Sequence, residues 1–375
     1  MKKDWQTKTL DQISTNLDSR RVPITKGVRE DGEYPYYGAS GIVDYVADYI
    51  FDEDALLISE DGANLLARST PIAFPASGKY WVNNHAHILK FDCLTTQRFV
   101  ELYLDSIPLD DYITGAAQPK LNQKALNSIP LPIPPLSEQK RIVGVLDEAF
   151  AGIATAKANA EKNRQNARAL FESHLHSVFT HRGSGWTETT LGEVCTFIGG
   201  SQPPKSVFVK TTSPDHVRLI QIRDYKSDKH LVFIPRSLAR RFCKEDDVMI
   251  GRYGPPLFQI LRGLEGAYNV ALMKAVPNEA KINRDYLFFF LKHPAILEYV
   301  IYHSSRAAGQ IGLTKETLEP YPIALPSLAK QREIAAKILD LQAETQRLEA
   351  LYERKLAALD ALKKSLLHQA FSGQL

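Results

Sequence analysis

Residues 129–150, IPLPIPPLSEQKRIVGVLDEAF, and residues 321–342, YPIALPSLAKQREIAAKILDLQ, are two versions of one join. In each, a proline-punctuated apolar stretch runs into a Leu, then a Gln, then an apolar stripe. Pro130 aligns with Pro322 at an offset of 192. Without gaps, the same offset pairs Gln118 with Gln310, Leu121 with Leu313, Gln139 with Gln331, Leu175 with Leu367, His176 with His368 and Phe179 with Phe371. Upstream, WQTKTLDQIS at 5–14 matches WTETTLGEVC at 186–195 at an offset of 181, so the segments between the two matches differ in length. Solenoid repeats run roughly 20–50 residues. A period near 190 present twice is instead a duplicated domain with its linker. A chain of 375 residues gives each half room for its own core.

The join starts a helix. Prolines 130, 132, 134 and 135 forbid helix before them. Ser137 offers a capping oxygen, as does Ser327 in the second copy. The apolar stripe then steps through Ile142, Leu146, Ala149, Ile153, Ala156, Ala160, Asn163, Ala167 and Leu170. The second copy reads Ile334, Ile338, Leu341, Thr345, Leu348, Tyr352, Lys355, Leu359 and Leu362. Steps alternating between four and three are the heptad pattern of a coiled coil, and the polar pair Asn163 and Lys355 would fix register. Each helix is expected to run about 45 residues, roughly 65 Å. Two copies related by a pseudo-twofold would pair antiparallel.

Composition narrows the classes. Hydrophobic content of 44% and charged content of 24% are those of a globular protein. MKKDWQTKTL has no apolar run behind its lysines, so no signal peptide is expected. The apolar run at 287–291 is too short to span a bilayer, which predicts no membrane association. Cys93, Cys195 and Cys243 are scattered, which argues against a disulfide framework or zinc site and for a cytoplasmic location. A net charge of +3 is compatible with a nucleic-acid partner without requiring one.

The segments outside the helices are mixed. YPYYGASGIVDYV, ALLISEDGANLLA and HAHILKF read as short strands with turns, and TQRFVELYLDSI as a helix. In the second half TLGEVCTFIGG, VRLIQIRDY, DDVMIGRYG and NVALMKAVP read as strands and RDYLFFFLKHPAILEYV as a helix. Each half is therefore α+β.

The order of a W-x3-TL start, a variable α+β domain, G-x-x-Q-x-x-L at 115–121, PLPIPPLSEQKRI and a long helix, all then repeated, resembles the specificity subunit of type I restriction–modification systems. YPYYGASG, ISEDGANL and VNNHAHIL resemble a first target recognition domain; IQIRDY and RYGPP resemble a second. The second join departs from the pattern, with LPSLAKQRE in place of PPLSEQKRI. The resemblance implies recognition domains at 1–135 and 183–326 and coiled-coil helices at 136–182 and 327–375. It implies that each domain reads one half of a bipartite double-stranded DNA target. The helices would space the domains and dock two methyltransferase subunits, which use S-adenosylmethionine. Restriction subunits that consume ATP with Mg2+ would join them. The chain itself would be non-catalytic and hold no cofactor.

The residues support that absence of catalysis. Adenine methyltransferases of this kind need an Asp/Asn/Ser-Pro-Pro-aromatic motif, and Gly254-Pro255-Pro256-Leu257 and Gln202-Pro203-Pro204-Lys205 lack its acceptor and its aromatic. A rival reading makes Pro214, Asp215, Asp224 and Lys226 a Mg2+-dependent nuclease pattern, against the plainer reading of a strand that ends in the polar turn DYKSDK. A second rival is a coiled-coil scaffold that never touches DNA. His85 and His87 share a face and could clamp a metal, although a satisfied or DNA-facing pair is the expectation; His174, His176 and His181 read as solvated or interface residues. By residue type, the candidate DNA contacts in the first domain are Tyr36, Tyr37, Ser59, Asp61, Asn64, Lys79, Asn83, Asn84 and His85. In the second domain they are Lys205, Arg223, Arg252, Tyr253, Gln259, Arg262, Tyr268 and Asn269.

Deleting seven residues from each helix, 156–162 and 348–354, keeps the stripe in phase and removes roughly 10 Å of helix. The expected outcome is full helicity by circular dichroism together with a shortened gap between half-sites or lost specific binding. Methylation of the original sequence with its original gap would show that the helices do not set the spacing.

Overall fold

The computed structural model describes residues 4–304 and 312–375, apart from residues 116 and 182. Gln310 and the start of the matching segment in the second copy, AAGQIGL at 307–313, lie outside the described residues. The chain divides into two compact units, residues 1–162 with 352–375, and residues 163–351. Each long helix therefore supplies its first part to one unit and its last part to the other. No described helix is long and apolar enough to cross a membrane.

In the first unit, a four-stranded antiparallel sheet runs in the order Thr15–Asn16, Ala86–Lys90, Ala55–Ser59, Ala73–Ala76. A second sheet runs Gly41–Val46, Asp31–Gly38, Lys79–Val82, Phe51–Asp52, with a parallel pairing of Tyr36 with Trp81 and Tyr37 with Val82. Ala55–Ser59 is buried along its whole length, which explains its unbroken apolar run. Helix Leu94–Ser106 lays Phe99, Val100, Leu102 and Leu104 into a core shared with Leu56, Ile58 and Leu89.

The second unit repeats this topology strand for strand. One sheet runs Cys195–Gly199, Leu272–Pro277, Val248–Gly251, Gln259–Leu261. The other runs Phe233–Pro235, His216–Ile220, Gly266–Tyr268, Phe242–Cys243, again with one parallel pair, Leu219 with Ala267 and Ile220 with Tyr268. Burial pushes the Cys195 thiol up to about 12 and the Cys243 thiol up to about 11, so both pack as protonated thiols. Three details differ from the expected elements. TLGEV opens with a helical turn, Leu191–Val194, before its strand. VRLIQIRDY leaves the sheet at Ile220, because the Asp224 carboxylate accepts the Gln221 N–H at 3.0 Å and curls the chain into a 3-10 turn. The helix expected over 284–300 is two helices, Arg284–Leu291 and Pro294–Ser304, because a helix rarely continues through the residue before a proline.

The long helices are Leu136–Thr180 and Leu328–Ser372. In the first unit, Lys363 caps the Phe150 ring at 5.0 Å and Lys157 meets Asp360 at 2.7 Å, so ascending one helix descends the other. Ile142, Leu146, Leu367 and Ala370 join the core beneath. In the second unit, Leu175 shares a core with Ala335 and Ile338, and Arg168 meets Glu349 at 2.8 Å.

The seam keeps heptad phase only part of the way. Ile142, Leu146, Ile153 and Ile338 are buried, and Ile334, Leu341, Leu348 and Leu359 are half-buried. Asn163, Lys355, Leu170 and Leu362 are exposed, the last two at 64% and 46%, so they lie off the seam. After Ala160 the covered positions are Arg164, Ala167, Phe171 and Leu175; after Tyr352 they are Leu356, Leu359 and Leu367. Each helix takes an extra step of four at the same place in the repeat, Ala160 to Arg164 and Tyr352 to Leu356, and again beyond Ala167 and Leu359. A straight helix drifts about 20° per heptad, and such a stutter resets the stripe.

The repeated glutamine explains the join. Gln139 is 4% exposed: its amide donates to the Pro134 carbonyl at 2.8 Å and its oxygen accepts from the Thr96 hydroxyl at 2.8 Å. Gln331 is 1% exposed: its amide donates to the Pro326 carbonyl at 2.9 Å and its oxygen accepts the Asn283 N–H at 2.8 Å. Pro134 and Pro326 end the strands Leu131–Ile133 and Pro322–Leu325, which pair with Gln6–Lys8 and Thr187–Thr190. Ser327 caps its helix through the Lys330 N–H at 3.3 Å. Ser137 does not cap, because the first helix begins one residue before it, at Leu136.

Gln139→Ala and Gln331→Ala each strand a buried carbonyl and a second polar partner. Each is expected to lower unfolding stability by about 1–3 kcal/mol in chemical denaturation, more than Ser137→Ala, which leaves no cap unmade.

Candidate nucleic-acid interface

In the first unit four segments converge at one end of the sheets. They are the hairpin turn at 38–41, residues 60–64, the turn at 83–85 and residues 114–121. The Glu60 N–H donates to the His85 carbonyl at 2.9 Å, the Asn83 N–H to the Tyr37 carbonyl at 3.0 Å and the Leu121 N–H to the Glu60 carbonyl at 2.8 Å. The Ser59 hydroxyl donates to the Ala39 carbonyl, tying the hairpin to the same cluster. The second unit repeats the pattern. The Arg252 N–H donates to the Ala271 carbonyl at 2.9 Å, the Asn269 N–H to the Ile220 carbonyl at 3.1 Å and the Leu313 N–H to the Arg252 carbonyl at 3.1 Å. The turn asparagines match as well: Asn83 accepts the His85 N–H at 2.8 Å and Asn269 the Ala271 N–H at 3.1 Å.

Beneath the first cluster lies a charged network. The His87 ring is 1% exposed, with Nδ1 2.6 Å from an Asp18 oxygen and Nε2 2.8 Å from the Leu121 carbonyl. Arg21 reaches Glu60 at 2.6 Å and Lys120 reaches it at 3.0 Å. Burial would raise the Asp18 carboxyl, but the His87 hydrogen bond and charge outweigh it and hold the group below its ordinary value. Asp18, Glu60 and His87 could by spacing hold a metal ion. Here Arg21 and Lys120 already bring cationic charge to the carboxylates, and the His87 ring is bonded to Asp18.

A family model for the type I restriction modification DNA specificity domain matches residues 2–163 and again 183–355. The chain belongs to this specificity family. Over 148 residues, 40% of the chain, it is 38% identical to a putative type I restriction enzyme specificity subunit of Haemophilus influenzae, of which the match spans 37%. It is 24% identical over 299 residues to the EcoBI specificity subunit of Escherichia coli, covering 68% of the chain and 60% of that protein. The chain thus spans less than two thirds of these relatives. Its fold is that of the HsdS subunit from Thermoanaerobacter tengcongensis, at a TM-score of 0.61 and 18% identity, covering 100% of this chain and 98% of that one. A chain from a structural study of type I R-M complex assembly and conformational transition matches at a TM-score of 0.74 and 19% identity, covering 100% and 99%.

Within this member of the specificity family, the residues expected at DNA separate into three groups. Some are packing residues. Tyr36 is buried with its hydroxyl bonded to the Ile24 N–H at 3.0 Å, and Tyr268 is buried on the Ile198 carbonyl at 3.2 Å, its phenol pushed up to about 12 by burial. Ser59 is buried, and Tyr37 stacks on Phe74. Aromatic residues in a turn-rich stretch look presentable in sequence, but on a strand every second one faces the core. A second group builds the loops. Asn83 and Asn269 form the turns, and Asn64 spends its amide on the Thr70 carbonyl. Arg252 donates to the Leu313 carbonyl at 2.8 Å, Tyr253 packs against Gly312 and Gln259 donates to the Pro256 carbonyl at 3.0 Å. Two more lie away from the cluster: Lys79, at the far end of its strand, caps the Tyr49 ring at 4.5 Å, and Arg262 pairs with Asp285 at 2.7 Å over Phe288.

The third group is presented to solvent. Asn84 is exposed, and His85 is 46% exposed and pairs with Asp61 at 2.9 Å. In the second unit Lys205 and Arg223 are exposed, and Arg223 lines a cleft of about 350 Å³ with Lys210, Lys229 and His230. Those three, and Lys120, were missed in sequence, where the turn DYKSDK reads as ordinary polar surface and no spacing links it to Lys210. The nuclease pattern does not assemble. Asp215 and Lys226 are exposed, whereas the Asp224 side chain is buried. Asp215 and Asp224 also lie at opposite ends of the strand His216–Ile220, roughly 20 Å of extended chain apart. His85 and His87 do not clamp an ion together; each has its own carboxylate partner.

Asn83→Ala and Asn269→Ala are each expected to cost about 1 kcal/mol, a fall in Tm of roughly 2–4 °C by differential scanning fluorimetry. Asn84→Ala is expected to leave Tm unchanged and to weaken DNA binding.

Proposed function

We propose that this chain is the non-catalytic DNA-reading subunit of a cytoplasmic type I restriction–modification complex, with each unit reading one half of a split double-stranded target. The observation that carries this reading is the duplicated loop cluster. Its backbone bonds are the same in both units, while the side chains on it differ: Asp61, Asn84 and His85 in the first stand where the second has Tyr253, Val270 and Ala271. One scaffold with two side-chain sets suits the reading of two different short sequences. One domain reading a few base pairs discriminates weakly, at about 1–3 kcal/mol per pair, and two domains add their discrimination. The basic cleft at Lys210, Arg223, Lys229 and His230 suits phosphate contact, which supplies affinity without sequence.

The same duplication suits two copies of a methyltransferase partner. Leu170 and Leu362 occupy the same place in the repeat, and each leaves an apolar side chain on the outer face of its helix. S-adenosylmethionine would belong to those partners, and ATP and Mg2+ to restriction subunits. A scaffold that never touches DNA has no need of two elaborated recognition units.

The purified full chain, given S-adenosylmethionine or Mg2+, is expected neither to methylate nor to cut DNA; methyl transfer by the chain alone would refute the reading. Replacing residues 183–312 by the corresponding segment of another family member is expected to change one half-site in methylation sequencing and to leave the other intact.

A further inference from the structure

An ion pair ties the long helices together within each unit, and the two pairs occupy the same place in the repeat with their charges exchanged. In the first unit Lys157 meets Asp360 at 2.7 Å. In the second Arg168 meets Glu349 at 2.8 Å. The offset of 192 carries Lys157 to Glu349 and Arg168 to Asp360. Both of these cations therefore stand on Leu136–Thr180, and both carboxylates on Leu328–Ser372. The covered stripe is unequal in size at the same level. Ala156, Ala160 and Ala167 correspond to Leu348, Tyr352 and Leu359, and all six are buried or half-buried. Ile153 against Thr345 reverses the difference. Towards the helix ends the stripe is matched, as in Ile142 and Ile334, Leu146 and Ile338, and Leu175 and Leu367. The matched residues pack into the domain cores, and the unequal ones do not.

We propose that the facing surfaces of the two long helices are selective for each other: the first helix takes a second helix, from its own chain or from another copy, and rejects a helix of its own kind. Residue 157 faces residue 360, which is the repeat equivalent of residue 168. In an antiparallel pair of two first helices, Lys157 would therefore face Arg168 at both contacts. Between two second helices, Glu349 would face Asp360. Size acts in the same direction. Two first helices would bring alanine to alanine and leave the seam underfilled, whereas two second helices would crowd Leu348, Tyr352 and Leu359. Exposed ion pairs add little to stability, but repulsion between like charges decides which helices pair. Every assembled pair then carries one unit of each kind, whichever copy each half comes from. None of these contacts involves DNA, so helix pairing and the reading of half-sites stand or fall separately.

The test uses the full chain without DNA. Glu349→Lys with Asp360→Lys gives the second helix the charges of the first, and Lys157→Glu with Arg168→Glu does the reverse. Each double variant is expected to melt about 2–4 °C below the native chain at low salt, and the gap is expected to close at about 1 M salt. The four substitutions together restore opposite charges at both contacts and are expected to recover more than half of the loss. Double variants that melt with the native chain, or a fourfold variant that melts as low as the doubles, overturn the proposal. Gly183–Gly185 is exposed and takes a protease site, so the folded chain can be cut between its halves. Native mass spectrometry of the cut chain and of the cut double variants is expected to show one first half with one second half, or single halves. A pair of two first halves or of two second halves overturns the proposal.

Discussion

The corner at which each recognition segment becomes a long helix depends on one buried amide. At the corner the Pro134 and Pro326 carbonyls are buried, and a buried unpaired carbonyl is costly. Gln139 and Gln331 resolve this by donating to Pro134 and Pro326 while accepting from the first turn of the domain's own helix, at Thr96 and Asn283. Strand end, long helix and recognition domain are thereby locked at one point. This is why the glutamine persists in the second copy when the residues around it change.

The duplication of the recognition domains was only partly legible in the sequence. Matches at the joins, at Trp5 and Trp186 and at Phe179 and Phe371 mark residues whose contacts recur: Phe371 meets Phe99 and Tyr103 edge-on at 5.2 Å, and Phe179 meets Tyr286 and Phe290 at 5.3 and 5.5 Å. Between the joins the strands repeat without matching letters. Backbone pairing asks only for alternation and burial, and Ala55–Ser59 and Val248–Gly251 meet that demand with different apolar residues. The register of the coiled coil was legible for five turns and then lost, because Asn163, Leu170, Lys355 and Leu362 continue a strict heptad that the helices abandon at Ala160 and Tyr352.

The candidate site was less legible, for a physical reason. Tyrosine, serine and asparagine in a turn-rich stretch are the residues that read bases, and they are also the residues that build turns. Asn83 and Asn84 are adjacent and identical in type, yet one is buried as a turn acceptor and the other stands free in solvent. Only the backbone direction separates them, and a single sequence does not carry it. The charged network under the first cluster was equally hidden, since Asp18, Glu60 and His87 lie on three separate elements.

The interleaving of the two units bears on the order in which the protein can be made. Residues 1–162 leave the ribosome first, but their unit is closed by residues 352–375, whose Leu367 and Ala370 fill its core and whose Phe371 meets Phe99. Residues 163–351 form a contiguous stretch and hold everything their own core requires. The second unit can therefore complete itself during synthesis while the first waits, with its apolar groove uncovered, until residues 352–375 have emerged. An early stop that removes only the last turns of helix would leave the half made first unfinished.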